Sequence, residues 1–289
     1  MIKPECVLPV GAELGEGPVW LAHDQAVWFV DIKGLRIHRF EPATGAHQAW
    51  DAPAASGFIA PVKGGGWIAG LKSGLHRFDP ASGDFSPLAS VEPHELGNRL
   101  NDGFVDAAGR LWFGSMHDAE TELSGALYCF RGGELSRHDE GYCITNGPAM
   151  SPDGGILYHT DTLQRVIYAF DVGSDGALSA RRQFARIEDG AGYPDGLVVD
   201  AEGCVWTGLF GGWGLRRYSP DGELIDWVRF PCANVTKITF GGADLRDAYV
   251  TTAWKGLSPE ARQAQPLAGG LFYFRAPTPG LRQNEVRLG

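Results

Sequence analysis

Five polar residues each stand directly before a glycine that opens one copy of a repeat in this chain: Glu16-Gly17, Ser56-Gly57, Asp102-Gly103, Asn146-Gly147 and Asp195-Gly196. Three of the five are carboxylates and one is a carboxamide. Oxygen donors of this kind suit a hard divalent cation such as Ca²⁺, Mg²⁺ or Mn²⁺, and Fe²⁺ or Zn²⁺ also accept them. Taken singly, Asp-Gly and Asn-Gly are common turn dipeptides. Pro152-Asp153-Gly154 and Pro220-Asp221-Gly222 fall between strands of one unit and read as simple turns. Glu16, Asn146 and Asp195 differ because they share one phase of a longer repeat. If that repeat gathers them at one point, one divalent cation could sit among them. Without a cation their charges would repel, and some would have to stay protonated.

The repeat is what must position them. Successive copies are about 40 to 50 residues apart, the period of propeller blades. Each copy reads as a polar loop, a strand such as "GLVVD", a turn such as "AEG" or "AAG", and a second strand such as "CVWTGLF". A third, aromatic strand follows, as in "GLHRFDP", "VIYAFDV" and "GLFYFRA", and then a more variable fourth. A sixth copy, "NVTKITFGGADLRDAYVTTAW" from Asn234, lacks the glycine but keeps the strand–turn–strand shape. Six units in 289 residues predict an all-β, six-bladed β-propeller that forms a single domain over residues 1–289. A pair of β-sandwich domains would not explain the common phase. The early strand "ECVLPV" is expected to pair into the last blade beside "GGLFYFRA", closing the ring and removing a sheet edge. In a propeller the innermost strands line a central channel. A polar residue at the start of each points toward the axis, so positions remote in sequence converge there. Trp20, Trp28, Trp67, Trp112 and Trp206 recur at strand positions and are expected to pack between blades.

The composition excludes several functions. The formal net charge is −10 and no basic run occurs. Nucleic acid and anionic membrane surfaces both need a Lys/Arg footprint, so neither is an expected partner. Five widely spaced cysteines with no Cys-x-x-Cys pair argue against a zinc ribbon or a disulfide framework. The N-terminal "MIKPECVLPV" does not read as a signal peptide, and no apolar run approaches the roughly 20 residues that cross a bilayer. A cytoplasmic location is expected. There is no Gly-x-Ser-x-Gly elbow and no His-x-x-x-His spacing. His117 and His159 read as structural or surface residues more readily than as site residues. Tyr193 and Phe58 are candidates to stack on a ligand at the cavity mouth.

The segments "LGEGPVW", "NRLNDGFVDAAGRLWFGSM", "TNGPAMSPDG" and "YPDGLVVDAEGCVW" stand in order across essentially the whole chain. Together they resemble the senescence-marker protein/regucalcin/gluconolactonase family of sugar lactonases. The resemblance implies a six-bladed propeller with one divalent metal on its axis, held by Glu16, Asn146 and Asp195. It also implies that Arg99 and Asn101, from "NRLND", bind sugar hydroxyls. The family often carries an acidic residue shortly after "G-S/T-M". Here the chain reads "GSMHDAE", so Asp118 or His117 is the candidate for that role.

A lactone is a cyclic ester. Its hydrolysis needs an activated water, a polarised carbonyl and a stabilised oxyanion, and an open-faced metal supplies the last two. Asp195 is the candidate general base, provided one of its oxygens stays free of the metal. Asp102 is the alternative base, or orients Asn101. The expected activity is metal-dependent hydrolysis of a pentono- or hexonolactone to the aldonic acid. Alternatives are a related esterase or organophosphate hydrolase and a non-catalytic cation-binding propeller. The expected partner is a small-molecule sugar lactone, and the expected state is a monomer or weak oligomer.

Overall fold

The computed structural model describes residues 2–288. Among the described residues, twenty-four strands form six four-stranded antiparallel sheets, and the one helix is the short Pro259–Ala264. The sheets are blades around a common axis. Their innermost strands are Gly15–Leu21, Ser56–Pro61, Asn98–Val105, Thr145–Met150, Tyr193–Val199 and Asn234–Gly241, which we number as blades 1 to 6. Each innermost strand contacts its neighbours around the ring, and the sixth contacts the first. Burial grades outward: Gly15–Leu21 is buried throughout, whereas Ala46–Asp51, the outer strand of the same blade, is largely exposed. Among the described residues, no helix is long and apolar enough to cross a membrane.

Ring closure follows the sequence expectation. Blade 6 takes three strands from the C-terminal region and its outermost strand, Glu5–Leu8, from the N-terminal end. Glu5 pairs with Tyr273, Cys6 with Phe272 and Leu8 with Leu271. Both ends of the ring thereby share one sheet, which leaves no unpaired joint between them.

A recurrent side-chain clamp fixes the first hairpin in three blades. Asp24 accepts hydrogen bonds from Trp28 Nε1 at 2.8 Å and Arg39 Nε at 2.8 Å. Asp106 does the same for Trp112 Nε1 at 2.9 Å and Arg110 Nε at 2.5 Å. Asp200 accepts from Trp206 Nε1 at 2.9 Å and Arg217 Nε at 2.8 Å. Each bond to a carboxylate contributes about 1.5–3 kcal/mol, so the tryptophans are oriented as well as buried. Their rings then pack across strands and blades, as where Trp28 meets Trp67 with centroids 4.7 Å apart.

At the end of the axis facing the polar residues, every innermost strand carries an extra residue. Glu16 pairs with Val30 and Val19 with Trp28, so three steps on the inner strand face two on its partner. The same irregularity falls between Leu100 and Gly103, Asn146 and Ala149, Pro194 and Leu197, and Val235 and Ile238, and a shorter form between Ser56 and Phe58. A β-bulge bends the strand and re-aims its side chains. Glycine serves two different needs here. Gly147 has φ 72°, a left-handed conformation that side chains disfavour. Gly57 instead permits close approach, since a Cβ there would lie 2.2 Å from the backbone oxygen of Asn101 in the next blade.

The opposite mouth of the channel is crossed by the C-terminal segment. Gly280 bridges to Asp200 of blade 5, and Val286 bridges to Val62 beside blade 2. Asn284 Nδ2 donates to the Val105 carbonyl of blade 3 at 3.1 Å. The channel is therefore open to ligands chiefly at the bulged end.

Candidate active site

The bulged end holds a cavity of about 290 Å³. Glu16 of blade 1, Asn146 of blade 4 and Asp195 of blade 5 all line it, although they are remote in sequence. All three side chains are almost fully buried. Glu16 and Asp195 lie within hydrogen-bonding reach of each other. Burial, joined by the Asp102 charge, pushes the Glu16 carboxyl up to about 7. Burial, then the charges of Glu16 and Asp102, lifts Asp195 well above the usual carboxylate range. Like charges held together out of water favour the protonated form, and a cation between them would reverse that preference.

The donor chemistry fits a hard divalent cation. Two carboxylates and one carboxamide oxygen converge, with no sulfur among them. Glu16 Oε2 accepts from the Gly17 amide at 2.8 Å, which orients the carboxylate and leaves its other oxygen available. Asn146 Nδ2 donates to Thr162 Oγ1 at 2.9 Å, and Asn146 Oδ1 accepts from Asn101 Nδ2 at 3.0 Å.

The other residues singled out in the sequence are distributed unevenly. Arg99 and Asn101 of blade 3 line the cavity. Arg99 Nε donates to Asp118 Oδ1 at 2.8 Å, and its Nη1 to Asn101 Oδ1 at 2.6 Å. Asn101 Nδ2 donates to the Thr145 carbonyl as well as to Asn146, so both of its amide protons are engaged within the protein. It acts as a spacer between Arg99 and Asn146. Asp118 stands behind Arg99 rather than on the cavity wall, and Lys33 Nζ approaches it at 2.7 Å. Burial works against ionisation of Asp118, yet Lys33 and Arg99 hold its carboxyl below the usual range. His117 is also absent from the wall. Its Nδ1 accepts from the Thr121 and Glu122 amides and so shapes the following loop.

Two residues of the shared phase are turned to other uses. Ser56 is buried and donates to the Phe58 carbonyl. Asp102 does not line the cavity: its Oδ1 accepts from Lys237 Nζ at 2.5 Å and from the Gly103 amide at 2.8 Å, and its Oδ2 from the Gly147 amide at 3.1 Å. Lys237 comes from blade 6, the copy without the glycine, and its side chain packs over Gly196. Phe58 is buried against the positions of Gly70 and Gly103 instead of reaching the mouth, whereas Tyr193 is on the wall, with Arg165 4.4 Å from its ring. His159 is buried, with neither ring nitrogen hydrogen-bonded, and takes no part in the cavity.

Glu120, Lys255 and Thr162 line the cavity without having been singled out. Lys255 Nζ pairs with Glu120. Glu120 belongs to the same "GSMHDAE" stretch as His117 and Asp118, and the turn after the strand brings the later acid to the wall.

The family model "SMP-30/Gluconolactonase/LRE-like region" matches residues 14–254. The chain belongs to this family. It is 33% identical over 288 residues to a 6-deoxy-6-sulfogluconolactonase of Pseudomonas putida, covering 96% of each chain. It is 35% identical over 281 residues to regucalcin of Oryctolagus cuniculus, covering 94% of this chain and 93% of the relative. Among solved structures, a calcium-binding protein described as regucalcin, from Agrobacterium tumefaciens, superposes with a TM-score of 0.95 at 26% identity, covering 99% of this chain and 98% of that one.

Proposed function

We propose that this SMP-30/gluconolactonase-family chain hydrolyses a sugar lactone to the aldonic acid, with one divalent cation held by Glu16, Asn146 and Asp195. Lactone hydrolysis follows from the family and from the lactonase among its relatives. The observation that carries the finer reading is the meeting of three oxygen donors from blades 1, 4 and 5 in one cavity. A cation bound there would act as a Lewis acid on the lactone carbonyl and its developing oxyanion.

The chain's own residues account for the remaining requirements. Asp195 takes a proton from the attacking water through an oxygen not engaged by the cation. The water oxygen bonds to the carbonyl carbon as the C=O π bond opens; when the C=O re-forms, the ring C–O bond breaks and the leaving oxygen receives that proton. Asp102 is committed to Lys237 and two backbone amides, so we assign the base to Asp195. Arg99 has Nε and Nη1 fixed within the protein, which leaves Nη2 to present to substrate hydroxyls. Asp118 and Asn101 hold that guanidinium in place, and Tyr193 offers an aromatic face at the mouth.

A panel of aldonolactones, 6-deoxy-6-sulfogluconolactone and an aryl ester, each with and without chelator, tests the reading by acid release. Chelator-sensitive release from at least one lactone is expected. Release at the uncatalysed rate from every lactone, with cation supplied, would defeat it. A non-catalytic cation-binding propeller is the second reading, favoured by the description of the Agrobacterium tumefaciens structure as calcium-binding. Cation binding without turnover would select it.

A further inference from the structure

We propose that Thr162 is a positioning residue that dictates which end of the Asn146 carboxamide faces the propeller axis. The inference rests on reading Asn146 as a cation ligand. Thr162 lies just past the strand Ile156–Asp161 of blade 4, is buried, and lines the cavity.

The assignment follows from counting protons. A threonine hydroxyl has one proton to give. Thr162 Oγ1 lies 2.9 Å from the Pro194 carbonyl oxygen, which has no proton of its own, so the hydroxyl proton goes there. Oγ1 then has only lone pairs to offer Asn146, 2.9 Å away. The amide nitrogen of Asn146 must face Thr162, and Oδ1 must face the other way. Asn101 imposes the same sense from the opposite side. Its Oδ1 accepts from Arg99 Nη1, and its Nδ2 donates to the Thr145 carbonyl. The remaining Nδ2 proton therefore meets Asn146 Oδ1 at 3.0 Å. Oδ1 keeps a second lone pair, which is what a cation needs.

A reversed carboxamide would turn one N–H toward the cation and set the other, donor against donor, at Asn101. The same Thr162 hydroxyl also ties blade 4 to Pro194, the residue before Asp195. One side chain thus sets the sense of one donor and the backbone position of another. Losing a partner that orients a metal ligand in this way typically costs about 10–100-fold in metal affinity.

The test is calorimetric titration of Mn²⁺ and Ca²⁺ into metal-free protein, for the parent chain, Thr162→Val, Thr162→Ser, Asn146→Asp and Asn146→Asp/Thr162→Val. Thermal unfolding of each metal-free protein reports folding. Thr162→Val keeps the shape and removes the hydroxyl, so affinity should fall about 10–100-fold. Thr162→Ser should restore most of it. In the Asn146→Asp background both terminal atoms are oxygens and the sense no longer matters. There only the tie to Pro194 is left to lose, so Thr162→Val should cost a clearly smaller fold-change in affinity than it does in the parent. Equal affinity in the parent and in Thr162→Val would overturn the inference, as would the same loss in both backgrounds. A parent chain that binds neither cation would remove the metal reading itself, and this inference with it.

Discussion

Replacing Lys237 by methionine isolates the charge that lies beneath the site. The Lys237 ammonium is 2.5 Å from Asp102, and the two side chains are only 8% and 2% exposed. Methionine fills similar volume without the charge, leaving Asp102 buried near two further carboxyls. Burial already raises the Asp102 pKa, and Lys237 is the main influence opposing that rise. Removing one partner of a buried pair costs about 3–5 kcal/mol. For a chain of this size that is about 6–10 °C in Tm. Proton uptake limits the loss. In the variant, folded Asp102 binds its proton more tightly than unfolded Asp102 does, so stability is greater at low pH and falls as pH rises through the folded pKa. The deficit relative to the parent should therefore be smaller near about pH 5 than near about pH 8. Asp102→Asn/Lys237→Met removes both charges and keeps an acceptor for the Gly103 or Gly147 amide. It should recover more than half of the lost stability. The assay is thermal unfolding of metal-free protein at both pH values. A Lys237→Met Tm equal to the parent's, or a double variant no better than the single, would refute this reasoning.

Three more outcomes follow from the same contacts. Asp195→Asn keeps an oxygen donor but loses the base, so kcat should fall about 10²–10⁴-fold while the fold persists; turnover like the parent's would remove Asp195 from the chemistry. Arg99→Ala should raise KM and blur sugar preference more than it lowers kcat, and unchanged kinetics across the lactone panel would take Arg99 out of the site. Gly57→Ala puts a methyl 2.2 Å from the Asn101 backbone oxygen, and chemical denaturation should show a loss of about 1–3 kcal/mol; an unchanged midpoint would mean the blades can separate freely at that point.

The architecture was legible because it repeats. Six copies of one strand pattern fix the blade count, and a stray strand at each end of the chain predicts the closure seen between Glu5–Leu8 and Leu271–Arg275. The C-terminal crossing from Asp200 to Val62 was not legible, because it rests on isolated bridges and carries no pattern. Within the site, phase predicted which residues stand at one level of the channel but not where their side chains turn. Glu16, Asn146 and Asp195 reach the cavity, while Ser56 bonds to its own strand and Asp102 is drawn to Lys237. A signal for Lys237 was present: the sixth copy lacks the glycine, so a side chain had to occupy that axial space. Asp118 and His117 stand nearest after the Ser115-Met116 pair in sequence, yet the turn after Leu111–His117 carries Glu120 to the wall. Thr162 and Lys255 sit in loops after second strands, where no spacing rule marks them.

The most direct test of the axial site is a crystal of this chain soaked in Mn²⁺, with diffraction recorded on either side of the manganese absorption edge. One anomalous peak should lie on the axis, about 2.0–2.6 Å from oxygens of Glu16, Asn146 and Asp195, the range of hard-cation bonds to oxygen. A peak elsewhere, or none at saturating Mn²⁺, would contradict the proposal that these three residues share one ion.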